Sequence, residues 1–172
     1  MRIETERLTL VPLGTVHFDT TLIYSTDPDN TRMMCFLPCD NGEEVMDYLV
    51  KCEKQWKMEK PEYLDAAVLL NGQHIGAVSI ELLEEGTVGE FGWIIHKAHW
   101  GRGYAAEAAL ALMQYMTEHF GIRHYIAHCD TENAASVRVM EKLGMTLAQT
   151  ISGRKNRNCD ELRKEYLFEL FL

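Results

Sequence analysis

Val88-Gly89-Glu90-Phe91-Gly92-Trp93-Ile94-Ile95-His96-Lys97-Ala98-His99-Trp100-Gly101-Arg102-Gly103-Tyr104-Ala105-Ala106-Glu107-Ala108 reads as a β-branched and aromatic strand, a tight glycine turn and an alanine-rich helix. Gly101 and Gly103 let the chain turn sharply, because glycine reaches positive φ without steric cost and has no Cβ to obstruct an approaching group. From Tyr104 to His119, apolar and polar residues recur at helical spacing. The turn therefore delivers unpaired N–H groups at a helix start, where the helix dipole adds positive potential. A pyrophosphate suits such a place.

Two glycines also open the dinucleotide fingerprint Gly-x-Gly-x-x-Gly, with Ala106 at the third position, a replacement that pattern tolerates. A dinucleotide site further needs a βαβ unit with an acidic residue roughly 20 residues on, at the end of the next strand. Glu118 falls at the helix end instead, and Asp130 is too distant and sits at a turn. The segment His128-Cys129-Asp130-Thr131-Glu132-Asn133 starts a second helix rather than supplying a ribose-binding acid.

Trp100-Gly101-Arg102-Gly103-Tyr104-Ala105-Ala106-Glu107-Ala108 resembles the acetyl-CoA-binding motif of the GNAT acetyltransferases, Gln/Arg-x-x-Gly-x-Gly/Ala. Within that family it is most similar to the ribosomal-protein N-terminal acetyltransferases of the RimJ/RimL type. Trp100 stands at the Gln/Arg position, a departure that branch commonly carries. The similarity extends through Asn133-Ala134-Ala135-Ser136 and Glu141-Lys142-Leu143-Gly144-Met145, and back to Glu4-Thr5-Glu6-Arg7-Leu8, so it covers essentially the whole chain. It implies an α/β (α+β) GNAT fold: a mostly antiparallel seven-stranded sheet, splayed between its fourth and fifth strands, with about four helices.

The residues on either side agree with that order. Residues 7–12 alternate as a first strand, 17–24 and 43–59 read as helices, and Lys60-Pro61 stops the second. Residues 63–70 and 73–82 flank Asn71-Gly72, the pair that readily forms a type I′ hairpin turn. Residues 87–95 make the fourth strand, 104–119 a helix closed by Gly121, and 123–129 the fifth strand. A helix at 134–143 is capped by Asn133 and ended by Gly144. Strands at 145–152 and 162–171 are separated by the polar loop 153–158. No repeat or low-complexity linker divides the chain, so residues 1–172 are expected to form a single domain.

The composition is that of an ordinary globular protein, 47% hydrophobic and 25% charged. No apolar run approaches the ~20 residues that span a bilayer. The start of the chain lacks an apolar signal core, so a cytoplasmic location is expected. A net charge of −9 disfavours nucleic acid and anionic membranes as partners and suits a cationic acceptor such as an amine. The five cysteines are scattered; Cys35-x-x-x-Cys39 has no second close pair, so reduced thiols and no metal are expected. Oligomeric state stays open, a homodimer included.

The resemblance places the pantetheine arm of acetyl-CoA between the parted fourth and fifth strands, the fourth carrying a bulge. Parted strands leave unpaired N–H and C=O groups, here those of Trp93, Ile94 and Ile95. A backbone N–H there would also bond the thioester oxygen as it gains charge. Arg102, Gly103, Tyr104, Ala105 and Ala106 would contact the pyrophosphate, chiefly through backbone amides; Arg102 adds a charged contact or is simply an exposed arginine. Met33, Met34, Phe36 and Leu37 either line the acceptor cleft or pack as core or lid.

Transfer to an amine needs a neutral nucleophile, whereas a lysine amine has a pKa of ~10.4 and an α-amine ~8. Glu90 is the candidate general base, directly or through water: a carboxylate inside an apolar strand tends towards a raised pKa. Otherwise it is a solvent-facing glutamate. The CoA thiolate resembles a cysteine thiolate, pKa ~8.5, so its protonation is useful rather than compulsory. Many GNAT enzymes use a tyrosine for this; Met140 occupies that position here, which leaves Ser136 as candidate donor or thiol contact, or as support for its own helix. Asn133 is placed near pantetheine by the resemblance and is equally explained as a helix cap. His96 and His99 flank the turn and either tune the site or are incidental. A covalent route through Cys129 lacks an evident histidine–acid pair, and His128 points to the opposite face. Direct transfer is favoured.

The sequence thus points to an acetyl-CoA-dependent N-acetyltransferase acting on a protein or peptide N-terminal amine. The alternatives are a small-molecule amine as acceptor (amino acid, polyamine or aminoglycoside) and a non-catalytic acyl-CoA-binding module.

Overall fold

A computed structural model describes residues 1–157 and 159–172. The strands are β1 (Ile3–Glu4), β2 (Leu8–Pro12), β3 (Tyr63–Leu70), β4 (Gln73–Leu83), β5 (Val88–Ile95), β6 (His124–Asp130), β7 (Thr146–Arg154) and β8 (Arg163–Phe171). The helices are α1 (Phe18–Thr26), α2 (Pro28–Thr31), α3 (Gly42–Gln55), α4 (Tyr104–Phe120) and α5 (Ala134–Lys142). One sheet runs β1-β2-β3-β4-β5-β6-β8-β7. Its neighbours are antiparallel except β5 and β6, and α4 is the crossover that a parallel pair requires. The loop between β7 and β8 includes position 158, which lies outside the described residues.

Among the described residues there are eight strands and five α-helices, where seven and four were expected. The additional strand is the two-residue β1, pairing Ile3 with Leu10. The additional helix is the single turn α2, begun by Pro28 and capped by Asp27, whose carboxylate accepts from the N–H groups of Asp29 and Asn30. Both are too short to show a hydrophobic period. α3 also stops at Gln55, short of the expected 59. Trp56 closes it and sends its indole N–H to the Asp65 carbonyl at 2.6 Å. The Asn71-Gly72 turn has the two positive φ angles expected, 50° and 79°.

Strand alternation divides the interior between the two sheet faces. On one face Ala108, Leu112 and Met116 of α4 and Met140 of α5 pack with Ile80, Phe91 and Tyr125. On the other, Val45, Leu49 and Cys52 of α3 pack with Leu13, Ala67 and Ala77. α1 and α3 lie over β4 and β3, so that farther along this second face Glu90, His128 and Glu165 are only half-buried. No helix among the described residues is long and apolar enough to cross a membrane.

Beneath α3, Asp65 is 5% exposed, and its carboxylate meets the Tyr48 hydroxyl at 2.9 Å and the Cys52 thiol at 3.5 Å. Burial without a cation pushes its carboxyl up to about 6, against the two hydrogen bonds. A folded pKa above the unfolded ~3.9 contributes stability in full below pH ~4 and loses it as pH rises through about 6. Asp65→Asn is therefore expected to stabilise the fold by about 1–3 kcal/mol at pH 8 and far less at pH 4. Urea unfolding at both pH values checks this; equal effects would contradict it.

Candidate active site

The turn before α4 is built by Gly101 (φ 74°) and Gly103 (φ 82°), both left-handed. Gly103 is the N-cap and supplies no side-chain cap. The first turn of α4 consequently presents the N–H groups of Tyr104, Ala105 and Ala106 outward, as uncapped helix starts do. Arg7 holds this turn in place. Its guanidinium donates to the Arg102 carbonyl at 2.9 Å and to Glu107 at 2.7 Å, and lies 4.8 Å from the centre of the Tyr104 ring. Thr5 adds a 2.6 Å bond to Glu107. The Lys142 ammonium stands 3.9 Å from the point a Cβ on Gly103 would occupy. The amides thus have the Lys142 ammonium close by, and the Arg7 guanidinium paired with Glu107, with no capping side chain across them, which fits an anionic pyrophosphate.

β5 and β6 pair only from Val88↔His124 to Phe91↔Ala127. Beyond that rung β5 stays with β4 as far as Ile95↔Gly76, and β6 stays with β8 as far as Asp130↔Glu165. The sheet therefore forks between Gly92–Ile95 and His128–Asp130. The β4–β5 ladder shows no register shift, so the bulge implied for this strand is absent; the shift lies one ladder away, at Val68/Leu69. Because the His96 N–H bonds the Ile75 carbonyl, alternation directs the backbone groups of Ile94 to β4 and those of Trp93 and Ile95 into the fork. The Ile95 carbonyl is already taken, by Asn30 at 2.9 Å and the Trp100 indole at 2.6 Å. The Trp93 N–H and C=O and the Ile95 N–H are left facing the gap.

α5 is tied to the β5 arm of the fork through Trp93. Asn133 caps it, its side-chain oxygen accepting from the Ser136 N–H at 3.1 Å. The Ser136 hydroxyl accepts from the Trp93 indole N–H at 3.2 Å, which leaves the hydroxyl proton free to be donated. Met140, in the position of the tyrosine, is fully buried.

On the second face Glu90 stands directly across the ladder from Glu81. Burial raises its carboxyl above the usual range; the His128 imidazole opposes this, and Glu81 and Glu165 reinforce it. A histidine–acid pair is present after all: His128 Nδ1 lies 3.4 Å from Glu165, which also receives Arg154 at 2.9 Å. Cys129 belongs to the opposite face, and burial pushes its thiol up to about 11, unsuited to a nucleophile.

Loops converge on this region. Lys97 bonds Asn30 through its N–H and pairs with Asp27 and Asp29 through its ammonium, docking α2 on the end of β5. Arg154 and Arg157 donate to the Met33 and Phe36 carbonyls, holding the loop before α3. That loop leaves Phe36 88% exposed rather than in the core. His96 caps the turn that follows it, accepting from the Ala98 N–H.

Residues 7–146 match the family model described as an acetyltransferase (GNAT) domain. The chain belongs to the GNAT acetyltransferase family. It resembles the protein YkkB of Bacillus subtilis, 39% identical over 46% of this chain and 48% of that one. It also resembles the FsC-acetyl coenzyme A-N(2)-transacetylase of Aspergillus fumigatus, 28% identical over 86% of this chain and 66% of that one. The chain thus spans from about half to two thirds of these relatives' length. Among solved structures, RimL, a ribosomal alpha-N-protein acetyltransferase in complex with coenzyme A, superposes with a TM-score of 0.87 at 14% identity over 100% of this chain and 98% of that one.

Three residues at the candidate site are not marked by any local motif. Arg7 and Glu107 lie 100 residues apart, and Lys142 reaches the turn from the far end of α5. The only sequence signal for Arg7 and Lys142 was their presence in the flanking segments of the resemblance.

Proposed function

We propose that this acetyltransferase moves the acetyl group of acetyl-CoA directly to a primary amine, with a protein or peptide N-terminal amine as the favoured acceptor. The observation that carries the reading is the fork: unpaired backbone groups of Trp93 and Ile95 beside an uncapped helix start. Tyr104, Ala105 and Ala106, with Arg102 and Lys142 beside them, would hold the pyrophosphate, and the Trp93 N–H or Ile95 N–H would bond the thioester oxygen. Acetyl-CoA supplies an activated acyl group; the chain binds it, orients it and handles two protons. Glu90 accepts the proton of the amine through a relay, and Ser136 donates one to sulfur. Burial of the Cys129 thiol supports direct transfer over an acyl-enzyme.

The names of RimL and of the Aspergillus relative both denote transfer to nitrogen, which supports an amine acceptor. Glu81, Glu90 and Glu165 on the half-buried face favour a cationic one. A small amine would use the same face, and two acceptor pools separate the readings. One pool holds peptides of varied N-terminal residue, the other amino acids, polyamines and aminoglycosides. Mass spectrometry is expected to find acetylated peptide termini; product confined to the second pool would move the acceptor to small amines. Ser136→Ala is expected to lower kcat about tenfold with little change in KM, since the thiolate leaves slowly but adequately without a donor. An unchanged kcat in a steady-state assay would remove Ser136 from the chemistry.

A further inference from the structure

Glu90 is set back from the place where transfer would occur. It precedes the last rung of the fork, and Trp93, whose N–H faces the gap, lies three residues on, roughly 10 Å along a strand. His128 is the first residue of β6 past that rung, one residue beyond Ala127, and so lies level with the opening. Parallel pairing of Glu90 with Ile126 puts Glu90, Ile126 and His128 on the same face. Gly92, the β5 residue at the level of His128, has no side chain, and the Ser79 hydroxyl stands 2.6 Å from the point its Cβ would occupy.

His128 stands beside an acid that is itself held in place. Glu165, on β8, faces Nδ1 at 3.4 Å, and Arg154, on β7, holds the other oxygen of Glu165 at 2.9 Å while donating to the Met33 carbonyl. No hydrogen bond engages either ring nitrogen among the described residues; the Glu165 carboxylate is the ion-pair neighbour of Nδ1, Nε2 has no such neighbour, and the side chain is 25% exposed. A carboxylate nearest Nδ1 favours the neutral tautomer that carries its proton on that nitrogen and leaves the lone pair on Nε2, the arrangement of a histidine base oriented by an acid. The other charged groups facing this point are Glu90 on β5, Glu81 across from it on β4, and Asp130 farther along β6, the last neutralised by Arg163 and bonded to Asn156.

We propose that His128, oriented by Glu165, is the group that takes the proton from the acceptor amine at the fork, with Glu90 behind it as the next proton acceptor. The inference rests on the amine-acetyltransferase reading and names its proton route. As the nitrogen lone pair forms the N–C bond, the C–S bond breaks with its electrons going to sulfur. The proton leaves nitrogen for His128 Nε2, giving an imidazolium held between Glu165 and Glu90, and the thiolate takes a proton from Ser136 or water. His128 then loses its proton to Glu90 or solvent. Glu165 acts as a positioning residue, and through Arg154 it ties the base to the loop at Met33 over the acceptor side.

The test combines kinetics with a readout independent of turnover. His128→Gln is expected to lower kcat about 100-fold, to abolish the rise of rate with pH on the acid side, and to leave acetyl-CoA affinity and melting temperature unchanged. Glu165→Gln is expected to retain more activity, with the acid-side rise displaced. Imidazole 15N shifts of the free wild-type protein at pH 8 are expected to show His128 protonated at Nδ1, and Glu165→Gln to mix the two tautomers. Added imidazole is expected to rescue His128→Gly in part. Wild-type turnover that persists in His128→Gln within about threefold, with the same pH profile, overturns the proposal and leaves the acetyltransferase reading intact. A His128 protonated at Nε2 also overturns it. A wild-type protein that binds acetyl-CoA yet acetylates no amine removes the reading itself, and the proposal with it.

Discussion

Gly103→Val is expected to weaken acetyl-CoA binding about 100-fold while leaving the fold in place. At φ 82° and ψ 6°, Gly103 occupies the left-handed region, which costs an ordinary residue about 1–2 kcal/mol and a β-branched one more. The strain is relieved by rotating the turn, and that redirects the N–H groups of Tyr104, Ala105 and Ala106 away from a common point. Hydrogen bonds to a charged group contribute about 1.5–3 kcal/mol each, so losing one or two accounts for the factor of 100. Packing is not at issue: the nearest atom to a Cβ there is the Arg7 guanidinium at 3.6 Å. Calorimetric titration with acetyl-CoA checks the prediction, with the melting temperature of the variant as control. Affinity within threefold of wild type would mean that the amides of this turn do not hold the cosubstrate.

The second large effect is on stability. Gly76, on β4, has φ 156°, and a Cβ there would come within 2.2 Å of the Ile94 carbonyl oxygen and 2.8 Å of the Ile95 Cα. Both contacts are backbone atoms of the strand that forms one arm of the fork, so neither can move without breaking the ladder. Gly76→Ala should cost about 3–4 kcal/mol, a melting temperature lower by about 10 °C in a chain of this size. What remains folded should bind acetyl-CoA poorly, because β5 must shift. Circular dichroism on heating is the measurement; a loss under 1 kcal/mol would show that β4 and β5 do not approach so closely.

These two glycines show what the sequence carries openly and what it does not. Gly103 sits in a strand–turn–helix stretch whose periodicity changes from alternation to helical spacing, so its turn conformation is legible from neighbours alone. Asn71-Gly72 and the Asn133 cap are legible for the same reason, since the residues that determine them are adjacent. Gly76 reads as an ordinary strand residue; its importance comes from Ile94 and Ile95, which approach only when the strands pair. β1 and α2 are short enough to carry no period at all.

The site divides in the same way. The resemblance pointed to Trp93, Glu90, Asn133 and Ser136 through motifs close in sequence. The expectation for Ile94 and for the Ile95 carbonyl is corrected, since Ile94 turns its backbone to β4 and that carbonyl is filled. The His128–Glu165 pair was hidden because β8 inserts between β6 and β7, an order that alternation along single strands does not reveal. Arg7 reaches the turn before α4 only because the segment between β1 and β2 folds back onto that helix.

The most direct test of the account is a single-turnover experiment, with enzyme in excess over acetyl-CoA, a mixture of peptide acceptors and intact-mass detection of both protein and peptides. One acetyl group is expected to appear on a peptide N-terminus with no acetylated enzyme preceding it, and Glu90→Gln is expected to slow this step with acetyl-CoA binding unchanged. An acetyl group that first accumulates on the protein, at Cys129 or elsewhere, and then passes to the acceptor would contradict direct transfer at the fork.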